Sequence, residues 1–226
     1  MSQVWRRTPK IAILMVAVNY EPADVSTPLW EMYCDRYGYD FIKVTDETYD
    51  DPEFGVAWWR VRKMRELLNV YDVVMHVDGD AMPMRPDISI TDWMKGHGTP
   101  STVMWLSKDV GDDRHPFGSV NFGIFIMTSS DVCKRLLDIM WPQRFDRTVW
   151  PREQGCMEDE VQNIFATDRE MYDSHIDIAE YGTMQDFTDP YGGCWIFHAA
   201  GQRGDELMQI MRDTARSCRV RLLKSQ

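Results

Sequence analysis

No stretch of this chain is apolar for long enough to cross a bilayer. The longest clean run, Ile11 to Val18, has eight residues, where a membrane helix needs about 20. That run follows Arg6, Arg7 and Lys10 and could imitate a signal-peptide core, but Asn19-Tyr20-Glu21-Pro22 is a poor cleavage site. Neither a membrane span nor a targeting segment is expected, and the reading places the protein in the cytoplasm. No C-x-x-C pair occurs among the five scattered cysteines (Cys34, Cys133, Cys156, Cys194, Cys218), which argues against a zinc site of that type and for free thiols in a reducing compartment. No long basic stripe offsets a net charge of −11, so nucleic acid is not expected as a partner. There is also no internal repeat, low-complexity tract or linker in the 226 residues, which are read as one domain.

An apolar fraction of 44% beside a charged fraction of 27% is that of a globular protein with a real core. The stretch that organises the rest is Tyr71-Asp72-Val73-Val74-Met75-His76-Val77-Asp78-Gly79-Asp80-Ala81. It reads as a buried, valine-rich strand ending in two acids one residue apart. Residues i and i+2 of an extended chain point to one side, so both carboxylates can reach one cation, and Gly79 lets another group approach. Oxygen ligands of this kind suit Mg²⁺ or Mn²⁺. A bare Asp-x-Asp is most often a polar turn, but here apolar Ala81 to Met84 follows at once.

Along the chain, Ile11 to Val18 reads as a central strand of a parallel sheet, with Asn19, Tyr20 and Glu21 at its ligand-binding carboxyl end. A helix is expected over Pro28–Tyr37, closed by Gly38, then a strand over Tyr39–Val44, an acidic loop over 45–55 and a helix over Ala57–Leu68. That helix carries Trp58, Trp59, Arg60, Arg62 and Lys63, ordinarily core packing and solvated charge, although one of its cations could face an anion near the metal. Pro86–Met94 reads as a partly helical connection and Ser101–Ser107 as a strand. A polar loop, 111–118, leads to a strand over Val120–Met127 that opens with Asn121-Phe122-Gly123, where an amide can bond a polyhydroxylated ligand and a glycine allows close approach. A helix is expected over Ser130–Met140, an irregular aromatic stretch over 141–155, and a helix over Cys156–Ala166 whose first turn holds Glu158, Asp159 and Glu160; acids there are favoured by the helix dipole alone. A strand over Ser174–Ala179 and a loop over 181–193 follow. The run Cys194-Trp195-Ile196-Phe197-His198 leads into Ala199-Ala200-Gly201-Gln202-Arg203-Gly204, and a basic helix over 205–226 closes the chain.

Taken together, W-W-R, D-G-D-A, N-F-G, an acidic helix start and H-A-A-G-Q-R resemble the GT-A class of nucleotide-sugar glycosyltransferases. The similarity lies with the α-galactosyl-, α-xylosyl- and α-mannosyltransferases that carry D-x-D-A, N-x-G and a late H-x-A-G, and extends to glycosyltransferase domains of large algal viruses. It covers Ile11 to about Gly204. The resemblance implies an α/β, GT-A (Rossmann-like), mixed but mostly parallel sheet flanked by helices, with a nucleotide-binding part over about 10–110, an acceptor-side part over about 111–204 and a C-terminal helix.

In that family's terms Asp78 and Asp80, with Gly79 between them, match the motif that holds Mn²⁺ (or Mg²⁺) on the donor diphosphate, and His198 the third metal ligand. Asn121 and Gly123 match the sugar side of the pocket. Val18 and Asn19, followed by Tyr20, match the base and ribose loop, and Arg60 or Lys63 the basic position on the early helix. Glu158 or Asp159 matches the acidic helix start near the reacting sugar; the family has E-Q or D-Q there, and this chain has an E-Q earlier, at Glu153-Gln154. Arg203 beside Gly201 and Gly204 can add a phosphate contact.

The activity implied is metal-dependent transfer of a hexose or pentose from a nucleoside diphosphate sugar, UDP-sugar favoured, to a hydroxyl of a glycan or glycoprotein, with retention. Three other readings stand beside it. A sugar-phosphate nucleotidyltransferase should show a glycine-rich loop after strand one, and Val18 to Pro22 has no glycine. A metal-dependent phosphohydrolase or glycosidase would leave N-x-G and the late histidine without a reason. A non-enzymatic carbohydrate-binding module would explain the tryptophans and would bind sugar without metal or nucleotide.

Overall fold

The computed structural model describes residues 7–45, 55–109, 119–146, 152–180, 182–187 and 193–224. The loop expected over 111–118, most of that over 45–55 and part of that over 181–193 lie outside them. Among the described residues a six-stranded sheet forms the centre, built from β1 (Ile11–Val16), β2 (Asp40–Val44), β3 (Val73–Val77), β5 (Met104–Lys108), β6 (Val120–Thr128) and β7 (Ile176–Ala179), in the order β2-β1-β3-β6-β5-β7. β1 runs parallel to β2 and β3, and β5 parallel to β7, whereas β6 lies antiparallel between β3 and β5. The sheet is therefore mixed and mostly parallel.

β1, β3 and β6 are buried along their whole length, as their unbroken apolar runs require of a sheet covered on both faces. Side-chain alternation sends Ile11, Ile13 and Met15 of β1 to one layer and Leu14 and Val16 to the other. The first layer is closed by α1 (Pro22–Tyr37), α3 (Ile90–Gly96) and α7 (Gly204–Lys224), the second by α2 (Gly55–Leu67), α4 (Asp131–Met140) and α5 (Arg152–Thr167). Trp30, Trp58, Trp59, Trp93, Trp105 and Trp195 are all buried, so the aromatic surface that a carbohydrate-binding module would use is largely core. All five cysteines are free and buried; burial pushes the Cys34 and Cys218 thiols up to about 12 and that of Cys133 to about 11.

Several boundaries differ from the sequence reading. α1 begins at Pro22, not Pro28: Pro22 takes the first helical turn, where its missing N–H costs nothing, and Pro28 is carried inside the helix. α5 begins at Arg152 rather than Cys156, so the stretch expected to be irregular up to Gly155 already contains helix, preceded by a short 3₁₀ turn over Trp141–Phe145. α6 (Arg169–His175), capped by Asp168, was not anticipated and shortens the following strand to Ile176–Ala179.

A second, small sheet also lay outside expectation: β4 (Ala81–Pro83), β9 (Ile196–His198) and β8 (Gln185–Asp186), ordered β4-β9-β8. β4 pairs antiparallel with β9, setting Ala81 opposite His198. This register brings the chain after the Asp-Gly-Asp turn against the late histidine.

Candidate active site

The acidic turn is clamped rather than solvated. The Asp78 amide donates to the Gly123 carbonyl at 2.9 Å, and Ala81 N–H closes the turn onto Asp78 O at 3.1 Å. From α1, Ser26 Oγ donates to Gly79 O at 2.6 Å and Trp30 Nε1 to Ala81 O at 2.8 Å. From the strand side, the Ala199 amide donates to Asp80 O at 3.1 Å. Gly79 is required by crowding, since a Cβ there would sit 2.8 Å from Tyr20 Cδ1 and 3.0 Å from Ala23 Cβ. The turn thus ends a buried strand and is fixed from α1, from β6 and from the chain after β9.

Asp78, Asp80 and His198 each offer a ligand atom, all within 4.8 Å of one another. His198 Nε2 lies 3.2 Å from Asp80 Oδ1 and 3.6 Å from Asp78 Oδ2. Two hard carboxylates and one imidazole, partly enclosed, are a fitting donor set for a small divalent cation. Gly123 makes room for it: a Cβ there would overlap His198 Cε1 and stand 2.7 Å from Asp78 Oδ2.

The charges are tuned by this crowding. Burial alone would disfavour an imidazolium at His198, but the carboxylates of Asp80 and Asp78 outweigh it and raise its pKa. Burial pushes Asp80 up, and His198 together with the Tyr20 hydroxyl, which donates to Asp80 Oδ2 at 3.0 Å, brings it net below the usual carboxylate range. At Asp78 burial prevails, and its pKa is raised despite Arg60 and His198. Arg60 Nη1 donates to Asp78 Oδ1 and to the Phe122 carbonyl, both at 2.9 Å, while its Nε faces Glu153 Oε1 at 3.5 Å. Burial raises the Glu153 carboxyl in spite of Arg60.

These groups line a cleft of about 440 Å³ with Asn121, Phe122, Gly123, Arg152, Gln154 and Gly201. Asn121 reaches it with its Oδ1 engaged by the Gly123 amide at 2.9 Å, a local turn-like bond. A second hollow of about 410 Å³ is lined by Tyr20, Gln202, Arg203 and the first residues of α7, and the Tyr20 hydroxyl links it to Asp80 of the cleft.

Of the residues singled out in the sequence, Arg60, Asp78, Asp80, Asn121, Gly123, His198 and Gly201 come together in the cleft. Gly79 lies in the turn beneath it, and Tyr20 and Arg203 line the second hollow. Val18 and Asn19 form the turn after β1, Asn19 with φ of 50°. Lys63 stands outside the cleft's lining, its Nζ 3.3 Å from Glu66 and 5.5 Å over the Trp59 ring. Glu158 is buried away from the cleft with Oε1 accepting from the Val120 amide at 3.1 Å, and Asp159 is exposed on α5. The acid that α5 brings into the cleft is instead in its first turn. Glu153 is buried beside Arg60, and Gln154 Oε1 accepts from the Phe122 amide at 3.4 Å. The signal for this was the E-Q pair after Pro151, a helix-start residue. Gln185, whose Oε1 lies 2.9 Å from His198 Nδ1, carried no sequence signal.

No protein-family model matches this chain, and neither does any curated protein sequence. Its fold does have relatives among solved structures. One is a glycosyltransferase involved in glycosylation of the major capsid of PBCV-1, superposing with a TM-score of 0.68 over 91% of this chain and 100% of that one at 16% identity. Another is the bifunctional glycosyltransferase WbbM, with a TM-score of 0.51 over 98% of this chain and 52% of that one at 11% identity. The chain has the GT-A-like α/β fold of these enzymes.

Proposed function

We propose that this chain is a metal-dependent glycosyltransferase that moves a hexose or pentose from a nucleoside diphosphate sugar, a UDP-sugar by preference, to a hydroxyl of a glycan or glycoprotein, with retention at the anomeric carbon. The observation that carries the reading is the meeting of Asp78 and Asp80 with His198, far apart in sequence, at the edge of one cleft on a GT-A-like sheet. A divalent cation, Mn²⁺ or Mg²⁺, would be held by these three residues and would supply Lewis-acid neutralisation of the departing diphosphate. In the balanced reaction the anomeric carbon–oxygen bond to the diphosphate breaks, a bond to the acceptor oxygen forms, and the acceptor proton is released.

The chain's own residues divide the remaining work. Tyr20, bonded to Asp80, and Arg203 border one hollow, where a guanidinium suits phosphate oxygens. Val18 and Asn19, in the turn after β1, are assigned to the base and ribose side. Asn121 and Gly123 are assigned to the sugar, one by its amide and the other by leaving space. The acidic role near the developing cationic sugar passes to Glu153, with Gln154 beside it, because these two line the cleft. Arg60 holds Asp78 and Glu153 at a fixed spacing until ligands arrive. The part over about 10–110 would serve the nucleotide and that over about 111–204 the acceptor. The five buried free thiols favour a reducing compartment.

Calorimetric titration with UDP, with and without Mn²⁺, followed by a panel of UDP- and GDP-sugars, tests the proposal. Binding that requires Mn²⁺ and vanishes in Asp80→Ala is expected; absence of nucleotide binding under any divalent metal would end it.

A further inference from the structure

His198 can ligate a cation only through a nitrogen that carries no proton. Its Nε2 faces the carboxylates, 3.2 Å from Asp80 Oδ1. Left alone, a neutral imidazole in that setting would keep its proton on Nε2, because an anionic oxygen is the stronger acceptor. The N–H would then point where the cation must sit, and the lone pair would point into the core.

Gln185 opposes that outcome. Its side chain is fully buried and its Oε1 lies 2.9 Å from His198 Nδ1. Backbone pairing fixes it there: β8 sets Gln185 beside Ile196 of β9, and the Gly182 amide donates to Gln185 O at 2.9 Å. Its Nε2 meanwhile has no hydrogen-bond partner among the described residues. A buried donor without a partner is costly, so the amide is held in this orientation against a penalty. The Phe187 ring meets the imidazole edge at 5.3 Å between centroids and packs the histidine against turning.

We propose that Gln185 is a positioning residue for the cation site: its amide oxygen keeps the proton of His198 on Nδ1, so that Nε2 faces Asp78 and Asp80 as an electron-pair donor to the divalent metal. The inference rests on the metal-dependent reading above. It gives the two-residue strand β8 a purpose beyond packing: the strand delivers one side-chain carbonyl to His198.

The test uses Mn²⁺ alone, followed by the resonance of the free ion, on the whole chain as wild type, Asp80→Ala, Gln185→Leu and Gln185→Glu. Losing an outer partner of a ligating histidine weakens metal binding by roughly 10- to 100-fold, and that loss is expected for Gln185→Leu. Gln185→Glu, which still accepts from Nδ1, is expected to bind within about threefold of wild type on the same principle. In the Mg²⁺-loaded wild type, imidazole ¹⁵N shifts should place the proton on Nδ1. Gln185→Leu binding within twofold of wild type while Asp80→Ala fails to bind would overturn the proposal and leave the metal site standing. Gln185→Glu binding as weakly as Gln185→Leu would also overturn it. A wild type that ignores Mn²⁺, or an Asp80→Ala that binds as well as wild type, would take down both readings. If Gln185→Leu does not give a cooperative melt, the Gln185→Glu affinity and the wild-type imidazole spectrum decide, and an unprotonated Nδ1 rejects the proposal.

Discussion

The two sheets of this molecule divide its labour. The large sheet has strands of four to nine residues, several buried end to end, and apolar layers on both faces. The small sheet has strands of three, three and two residues. The first supplies most of the area removed from water and hence most of the folding free energy. The second is short but also buried, with Ala81, Met82, Ile196 and Phe197 in the first apolar layer, and it sets His198 opposite Ala81 and Gln185 beside Ile196. Precision at the site comes from brief pairings anchored in the core of the larger scaffold.

The sharpest way to break that division is to damage the large sheet alone. Leu14 is fully buried in β1, away from the cleft lining. Leu14→Ala should cost about 2–5 kcal/mol in denaturant unfolding, while Mn²⁺ affinity per folded molecule stays at the wild-type value. A matching loss of metal affinity would show that the two sheets are not separable. The converse change, Asp80→Ala, should lower sugar transfer about 100-fold or more, some 2.7 kcal/mol of barrier, with a melting curve close to wild type.

A third comparison is made within α5. Glu153→Gln is expected to reduce transfer about tenfold more than Asp159→Asn, a difference of about 1.4 kcal/mol, because Glu153 borders the cleft and Asp159 is exposed. Equal losses would return the acidic role to the middle of the helix. The smallest effect is expected where α1 grips the small sheet. Trp30→Phe removes the bond to Ala81 O and should cost about 1 kcal/mol of stability, with a modest rise in the Mn²⁺ dissociation constant.

What could be read from the residues follows the same division. β1, β3 and β6 announce themselves as apolar runs, and the Asp-Gly-Asp turn and the late histidine stand out by chemistry and position. The small sheet has no periodicity to detect, since a strand of two or three residues spans at most one alternation. Gln185 sits in such a strand and looks like any loop glutamine. The start of α5 is hard to read because Glu158 to Glu160, inside the helix, match a helix-start pattern that Pro151 and Glu153 match better. The start of α1 is hidden for a related reason: it holds two prolines, Pro22 and Pro28, and either suits a first helical turn. Antiparallel β6 carried no local sign, because strand direction is decided by the connection and not by the strand's own residues.

The buried thiols have a use beyond marking a compartment. Cys34 and Cys218 lie in the layer closed by α1 and α7, and Cys133 and Cys156 in the layer closed by α2, α4 and α5. Burial, joined at Cys34, Cys133 and Cys218 by a raised pKa, keeps them silent towards alkylating reagents in the native state. Each can react only when its own layer opens, so the order in which they are modified would give a chronology of local unfolding, one face of the molecule timed against the other.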